Sequence, residues 1–422
     1  MRVAERARVT NSVRARPTKI FIHGMNYAPE PIGIGRYTGE LAEFLAAQGE
    51  DVEVVTTLPH YPGWRVTPPY RPWRYVVEIR HGVRIIRCPM LLHASGRGFW
   101  RLQAPLTFAI TAAPVVMWRI LRSRPDVVIC VEPTLLSAPA AVLSAKIVGA
   151  RCILHVQDLE IDAAFEVGHL SASWLRRAAT AFERFMLRRF NRVITISQRM
   201  AQKLTTKGVS SGSILILRNW VNTSKIKPMP GPNRFREQLG LTEKDFVVLY
   251  SGHIGRKQAV DRLLACALEC RAQPSIYFVI CGDGPEKQTL VEHYGGLPNV
   301  RFLPIQPEEK LCELLNLADL HALPQDRNAA DLVLPSKLGG MLASGRPIVV
   351  TADRGTELYD LLDGTAMIVP PGDVHALAET IKSADAQRPL SGASQAHLVS
   401  LFCSELILPQ FHRVTLDVIE PK

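Results

Sequence analysis

Several loops in this chain carry residue types suited to holding a phosphorylated ligand, and the densest lies within residues 331–351. A polar stretch from Asp331 ends there in Pro335-Ser336-Lys337-Leu338. An apolar run long enough for a short helix follows, and Gly345-Arg346-Pro347 stops it before the β-branched run 348–351. The pattern reads as helix start, helix, stop and strand. Free N–H groups and the dipole make a helix N-terminus favourable to anions, and Ser336 and Lys337 sit beside that positive end. In Gly252-His253-Ile254-Gly255-Arg256-Lys257-Gln258 two basic side chains share a glycine-containing turn ahead of a helix. That arrangement suits a diphosphate, with backbone donors beneath and the charges of Arg256 and Lys257 above. Gly282-Asp283-Gly284-Pro285 closes a strand tightly enough for backbone to touch a flat ligand, although turn chemistry alone selects the same residues.

Two further loops lie nearer the N-terminus. Gly33 and Gly35 stand just before a helix, where glycine lets backbone approach a ligand closely or merely makes a turn. A dinucleotide fingerprint needs glycine where this chain has Thr38, and a tighter strand-to-helix turn. His155-Val156-Gln157-Asp158, with Glu160 and Asp162 beyond, follows an apolar run directly. The histidine and carboxylates either face a cleft or satisfy one another.

The elements that must position these loops alternate. Short apolar strands at 19–23, 52–56, 83–88, 127–131, 152–156 and 193–196 are separated by helical patterns such as 37–48 and 102–121. Continuous apolar strands with helices between them indicate a parallel sheet covered on both faces. A proline-bearing stretch at 222–233 interrupts the rhythm, and strands at 246–251, 276–281, 300–303, 320–323, 348–351 and 366–369 then resume it. The fold class is therefore α/β, two doubly wound Rossmann-like domains facing across a cleft, with ligands outside the carboxyl ends of the strands. The expected boundaries are a disordered basic arm at 1–17, an N-terminal domain at 18–222, a C-terminal domain at 223–395, and a helical segment at 396–422 that packs back on the first domain.

Composition narrows the partners. The 422 residues are 47% hydrophobic and 21% charged, with a formal net charge of +11, which points to a negatively charged partner. Basic residues interleaved with aromatics, as nucleic-acid readers carry them, are not evident, so nucleic acid is not expected. The eight cysteines are scattered without a Cys-x-x-Cys pair and sit mostly in apolar runs. They read as buried hydrophobes of a reducing compartment, the cytoplasm, with no metal site expected. The apolar stretch 104–120 is flanked by Arg97 and Arg101 on one side and by Arg119, Arg122 and Arg124 on the other. It fits either a buried helix or an amphipathic helix resting on an anionic membrane surface.

Taken together, Tyr27-Ala-Pro-Glu30, Pro59-His-Tyr-Pro-Gly63, His155-Val-Gln-Asp158, Asn219-Trp-Val-Asn222, Gly252-His-Ile-Gly-Arg-Lys-Gln258 and Pro335-Ser-Lys-Leu338 resemble the retaining glycosyltransferases of family 4. The likeness is strongest to the branch of colanic acid and other exopolysaccharide pathways, and it runs from about residue 19 to the C-terminal helices. It implies the GT-B fold and a hexosyltransferase needing no metal or other cofactor. The donor so implied is a nucleotide-sugar, GDP- or UDP-linked, bound by the C-terminal half, with a saccharide acceptor on the N-terminal half. The basic surface and the stretch 99–124 fit an acceptor that is polyprenyl-diphosphate-linked, among other saccharides, at the inner face of the cell membrane. The implied catalytic residues are His155, Asp158 and Lys257. The implied donor contacts are Gly33, Gly35, His253, Arg256, Lys257, Gly282, Asp283, Gly284, Pro335, Ser336, Lys337 and Leu338. His253 stands where many members carry arginine. Val333 and Gly340 stand where many carry glutamates, the second of which holds the nucleotide ribose. A catalytically silent carbohydrate- or partner-binding protein is the alternative that Gly340 raises, and a dinucleotide-dependent oxidoreductase is the one that the missing fingerprint opposes.

Overall fold

The structure, a computed structural model, describes residues 16–420 apart from 31–32, 62, 93–99, 134, 160–172, 328–333, 389 and 391. The basic arm up to residue 15, together with Glu160, Asp162, Asp331 and Val333, thus lies outside the described residues. The chain divides into two compact units, one taking in the described parts of 1–155, 164–192 and 414–422, the other those of 156–163 and 193–413.

The first sheet has eight strands in the order β3-β4-β2-β1-β5-β6-β7-β8. They are β1 (Lys19–His23), β2 (Asp51–Thr57), β3 (Val76–Arg80), β4 (Val83–Cys88), β5 (Val127–Glu132), β6 (Arg151–Val156), β7 (Arg192–Thr195) and β8 (Ile214–Ile216). Ile20, Phe21 and Ile22 are all buried because β1 runs parallel to neighbours on both sides, β2 and β5, with both faces covered. The sheet is not parallel throughout, as the apolar runs suggested. Edge strand β3 is antiparallel to β4. Its signal is the turn His81-Gly82, where both residues take positive φ, 47° and 81°, as two-residue hairpin turns of the primed type require.

Arg87 of β4 fastens this edge. Its buried guanidinium donates to Glu78 Oε1 at 2.7 Å, Thr57 O at 3.2 Å and Ala28 O at 2.6 Å, so its charge and its N–H groups are all engaged. Among the helices are α1 (Ile34–Ala47), α2 (Trp100–Ser123), α3 (Ala138–Val148), α4 (Ser173–Leu187) and α5 (Gln198–Thr206). Helix α2 runs through Pro105 and Pro114 without ending. Its buried stripe, Ala104, Phe108, Ala112, Val116 and Ile120, recurs every four residues and faces inward.

The second sheet has six strands in the order β11-β10-β9-β12-β13-β14, and every neighbouring pair is parallel. They are β9 (Phe246–Ser251), β10 (Ile276–Cys281), β11 (Val300–Leu303), β12 (Leu320–Leu323), β13 (Ile348–Thr351) and β14 (Met367–Val369). Helices α6 (Arg234–Leu239), α7 (Val260–Glu269), α8 (Lys287–Tyr294), α9 (Leu311–Asn316), α10 (Leu338–Ala343), α11 (Glu357–Leu362) and α12 (Val374–Ala386) are followed by α13 (Ala396–Val399) and α14 (Ser404–Asp417). Strand β9 is buried from Phe246 to Tyr250 because it divides two cores. Phe246, Val248 and Tyr250 pack with Leu263, Leu264 and Ile381, whereas Val247 and Leu249 pack with Phe235, Leu314 and Leu317.

Among the buried histidines, His23 at the end of β1, His155 in β6 and His321 in β12 make the fold acid-sensitive. Burial pushes their pKa down, to about 4 for His23 and about 3 for the other two. A histidine whose folded pKa lies below its unfolded value of about 6.5 contributes its full stability above that value. As the pH falls toward about 4, the unfolded chain takes up protons that the folded chain refuses, and each histidine loses on the order of 3 kcal/mol. Thermal melts should therefore show Tm falling steeply below about pH 6.5. A flat Tm across that window would contradict neutral, buried histidines.

Candidate active site

In the second unit the candidate loops sit at the C-terminal ends of β9, β10 and β12. The loops after β9 and β10 remain paired beyond their strands: Gly252 N donates to Cys281 O at 2.9 Å, Ile254 N to Asp283 O at 2.8 Å, and Glu286 N to Ile254 O at 3.2 Å. Gly282 and Gly284 are glycines because of this pairing. With φ of 154° and 158°, any Cβ they carried would overlap the carbonyl oxygens of Gly252 and Ile254 respectively. What a side chain at either position would meet is thus the neighbouring loop. Asp283 is exposed, and its carboxylate accepts from Gly284 N at 2.9 Å.

Lys337 is the centre of this region. Its ammonium nitrogen lies 3.8 Å from the centroid of the Tyr250 ring. It is buried and has no hydrogen-bond partner among the described residues. The ring face favours a cation, yet burial dominates and pushes the Lys337 pKa down to about 7. An ammonium has three donors and no acceptor capacity, so a buried one without a partner among the described residues suits an oxyanion. Tyr250 is fixed from the other end, its hydroxyl donating to His253 O. His253 itself is exposed, and partial desolvation followed by the nearby Lys337 charge lowers its pKa.

The remaining predicted donor residues divide. Arg256 and Lys257 form a short 3₁₀ turn before α7 and point into solvent, the Arg256 side chain being 93% exposed and 3.8 Å from Glu286. Pro335 and Ser336 lead into α10, a helix of only 6 residues, so its dipole is small and the fixed charge of Lys337 dominates. Leu338 is a core residue, packed with Leu334, Met341 and Phe402, and its N–H closes a turn onto Pro335 O at 3.0 Å. Gly340 lies on α10, where a Cβ would come within 3.2 Å of Leu315 on α9.

In the first unit the loop after β1 is built on Glu30. The carboxylate of Glu30 is buried, accepting from Asn26 Nδ2 at 2.9 Å and from the backbone N–H groups of His60 at 3.2 Å and Tyr61 at 3.1 Å. His60 Nδ1 lies 3.2 Å from Glu30 Oε1, and because burial lowers the His60 pKa the contact joins a neutral imidazole to a carboxylate. Gly35 is required here because a Cβ would overlap the Glu30 carboxylate. Gly33 is required by its φ of 72° at the start of α1. Both glycines thus shape the loop around a buried anion. His155 lies near the end of β6, buried and neutral, and Asp158 is half-buried two residues past the strand.

Glu30, His60 and Tyr250 are therefore site-shaping residues, although Glu30 and His60 entered above only as members of motifs and none of the three was given a role. Their signal was present, a carboxylate after Pro29 and a histidine after Pro59, but only folding puts residues 30 and 60 in contact.

Two family models match this chain: a glycosyl transferase 4-like domain over residues 33–220 and glycosyl transferases group 1 over residues 233–391. With its two α/β sheets, the second wholly and the first mainly parallel, the chain belongs to the GT-B glycosyltransferases of family 4. It is 39% identical over 377 residues to the colanic acid biosynthesis glycosyl transferase WcaI of Escherichia coli, covering 87% of this chain and 92% of that protein. Glycogen synthase of Mycobacterium tuberculosis is 26% identical, over 89% of each chain. Among solved structures, sucrose-phosphate synthase from Thermosynechococcus elongatus shares the fold at a TM-score of 0.74 and 18% identity, covering 95% of this chain and 99% of that one. Anabaena HepE, in complex with UDP and glucose, does so at 0.67 and 14%, covering 94% and 100%.

Removing the Glu30 anchor should loosen the first-unit loop. Glu30→Ala leaves three buried donors without an acceptor and should destabilise the fold by about 2–4 kcal/mol, with faster hydrogen exchange at the amides of residues 60 and 61. A loss below about 0.5 kcal/mol in denaturant titration, with unchanged exchange, would show that Glu30 does not hold these loops together.

Proposed function

We propose that this glycosyltransferase moves a hexose from a GDP- or UDP-linked donor to a saccharide acceptor on a polyprenyl diphosphate, with retention of configuration, in exopolysaccharide assembly. The observation that carries the donor assignment is the Lys337 ammonium, buried over Tyr250 with no acceptor among the described residues. A buried amine held without a partner destabilises the empty protein, and a diphosphate oxygen is the kind of group that would offset that cost. The family resemblance and the naming of the WcaI relative for colanic acid biosynthesis support the exopolysaccharide role. UDP in HepE supports a nucleotide-sugar donor, with the base and sugar left to the test below.

In this reading Lys337, with Arg256 and Lys257 closing from solvent, holds the donor diphosphate. The bond between the anomeric carbon and the diphosphate oxygen breaks, and negative charge grows on the departing diphosphate, where fixed cations lower the barrier most. The acceptor hydroxyl oxygen bonds to the anomeric carbon from the face the diphosphate leaves, and its proton passes to a departing phosphate oxygen. His155 and Asp158 serve the acceptor and the transferred sugar, His155 as a neutral hydrogen-bonding group. The chemistry of neutralisation is assigned to these side chains, with no cofactor in the scheme. Gly340 supplies no carboxylate for the ribose, so affinity in this scheme rests on the diphosphate.

A thermal-shift screen against GDP-, UDP- and other nucleotide sugars tests the donor class, since a bound ligand raises Tm by mass action. Lys337→Met should fold with a Tm equal to or above that of the parent chain, because it removes a buried amine. It should also abolish the donor-induced shift and cost about 2–4 kcal/mol in kcat/KM. An undiminished donor response in this variant would rule the assignment out. The pH dependence has a fixed sign. Donor binding raises the Lys337 pKa from about 7 in the free protein, so affinity is full below that pH, declines above it, and binding takes up a proton there. Calorimetry in two buffers of different ionisation enthalpy reads that proton directly.

A further inference from the structure

The outward faces of α2 and α3 break the usual rule for a surface helix. Opposite its buried stripe, α2 presents Leu106, Ile110, Trp118 and Leu121 to solvent, with Ile110 65% exposed. Pro114 and Met117 continue that row at helical spacing. Helix α3 packs against α2 and presents Leu143 and Ile147, the latter 63% exposed. A helix apolar all round is ordinarily buried all round, and contiguous exposed apolar surface on neighbouring elements marks a binding face. The row also reaches strand β3. Tyr75, just before β3, donates its hydroxyl to Thr111 O of α2 at 3.0 Å, and Val77 and Ile79, 59% and 76% exposed, follow at the spacing of one strand face.

Charge decides what fits this face. No Asp or Glu occurs between Glu78 and Asp126, nor between Glu132 and Asp158. Helices α2 and α3 therefore carry only basic or neutral side chains, with Arg122, Arg124 just beyond α2 and Lys146 exposed; Glu78 lies within the β3 row. Arg119 is engaged by Glu53 and stacks over Trp118 at 5.2 Å. Apolar residues ringed by cations, with no anion in these stretches, suit an anionic bilayer, where side chains enter the acyl boundary while Arg and Lys reach headgroup phosphates. Helix α2 has the length and hydropathy of a membrane span. Its Ala104-to-Ile120 stripe, however, is buried, and Phe108 stacks on His23 of β1 with ring centroids 5.4 Å apart. The helix is held flat against its sheet, so it lies along the surface.

We propose that the outer faces of α2 and α3, continued by the Tyr75–Ile79 row, dock this chain on an anionic lipid bilayer. The argument is independent of the donor assignment, and its test reads no transfer activity. Full-length protein is floated with vesicles of phosphatidylcholine alone, and of phosphatidylcholine with about one third phosphatidylglycerol, at low and high salt. The parent chain should float with the anionic vesicles at low salt and not with the neutral ones. A variant carrying Leu106→Gln, Ile110→Gln, Leu143→Gln and Ile147→Gln, and separately one carrying Arg122→Glu and Lys146→Glu, should each bind at least about tenfold more weakly, with unchanged Tm. Brominated lipid should quench Trp118 in the parent chain and lose that component in Trp118→Phe. The proposal is overturned if the parent chain does not float, or if the glutamine variant floats like the parent. It is equally overturned if light scattering shows a dimer that the glutamine variant dissolves while vesicles recover nothing.

Discussion

An ammonium group without an anionic partner among the described residues is the constraint around which the second unit is organised. Lys337 reaches beneath the loop after β9, its nitrogen over the Tyr250 ring and within contact of Gly252, where an added Cβ would lie 3.4 Å from it. Each neighbouring feature serves that placement. Tyr250 is held by its hydroxyl to His253 O, the β9 and β10 loops are locked together by backbone hydrogen bonds, and two glycines permit their approach. Burial costs an amine several kcal/mol of solvation, and evolution retains such a residue where something else repays it. Propensity and packing agree through the surrounding sheet, and Lys337 Nζ is one of the buried polar atoms left without a hydrogen-bond partner among the described residues, the kind of inconsistency that marks functional sites.

The first unit contains the opposite case. Glu30 is a buried charge fully provided for, with two backbone N–H groups, the Asn26 amide and the neutral ring of His60 around it. Both of its carboxylate oxygens accept from the protein. Its work is structural: it joins the loop after β1 to the loop after β2 and dictates glycine at position 35. Arg87 does the same one layer away, tying Ala28 and Thr57 to Glu78 on the hairpin. One buried charge satisfied and one unsatisfied thus separate scaffold from candidate site more sharply than the identity of the residues does.

Much of the fold was legible because a strand buried on both faces leaves a continuous apolar run, and the runs ending at His23, Cys281 and Thr351 are strands in the structure. The antiparallel hairpin of β3 and β4 was not, since β3 is an edge whose residues Val77 and Ile79 remain exposed between charged neighbours. The candidate loops were legible as types. Glycine near a strand end, a basic pair and Pro-Ser-Lys each restrict local backbone or charge, and those restrictions survive in one dimension. Which side chain would serve was not legible, as Leu338 turns into the core and Arg256 into solvent.

By itself the amino-acid sequence determined the α/β alternation, the positions of the loops and the excess of positive charge, because periodicity, turn chemistry and composition are local properties. Tertiary structure alone decided that Lys337 lies over Tyr250, that Glu30 meets residues 60 and 61, and that the apolar helix α2 has one face buried and one bare. Those are relations between residues distant along the chain, and burial, which sets both the Lys337 pKa and the exposure of α2, exists only once the chain has packed.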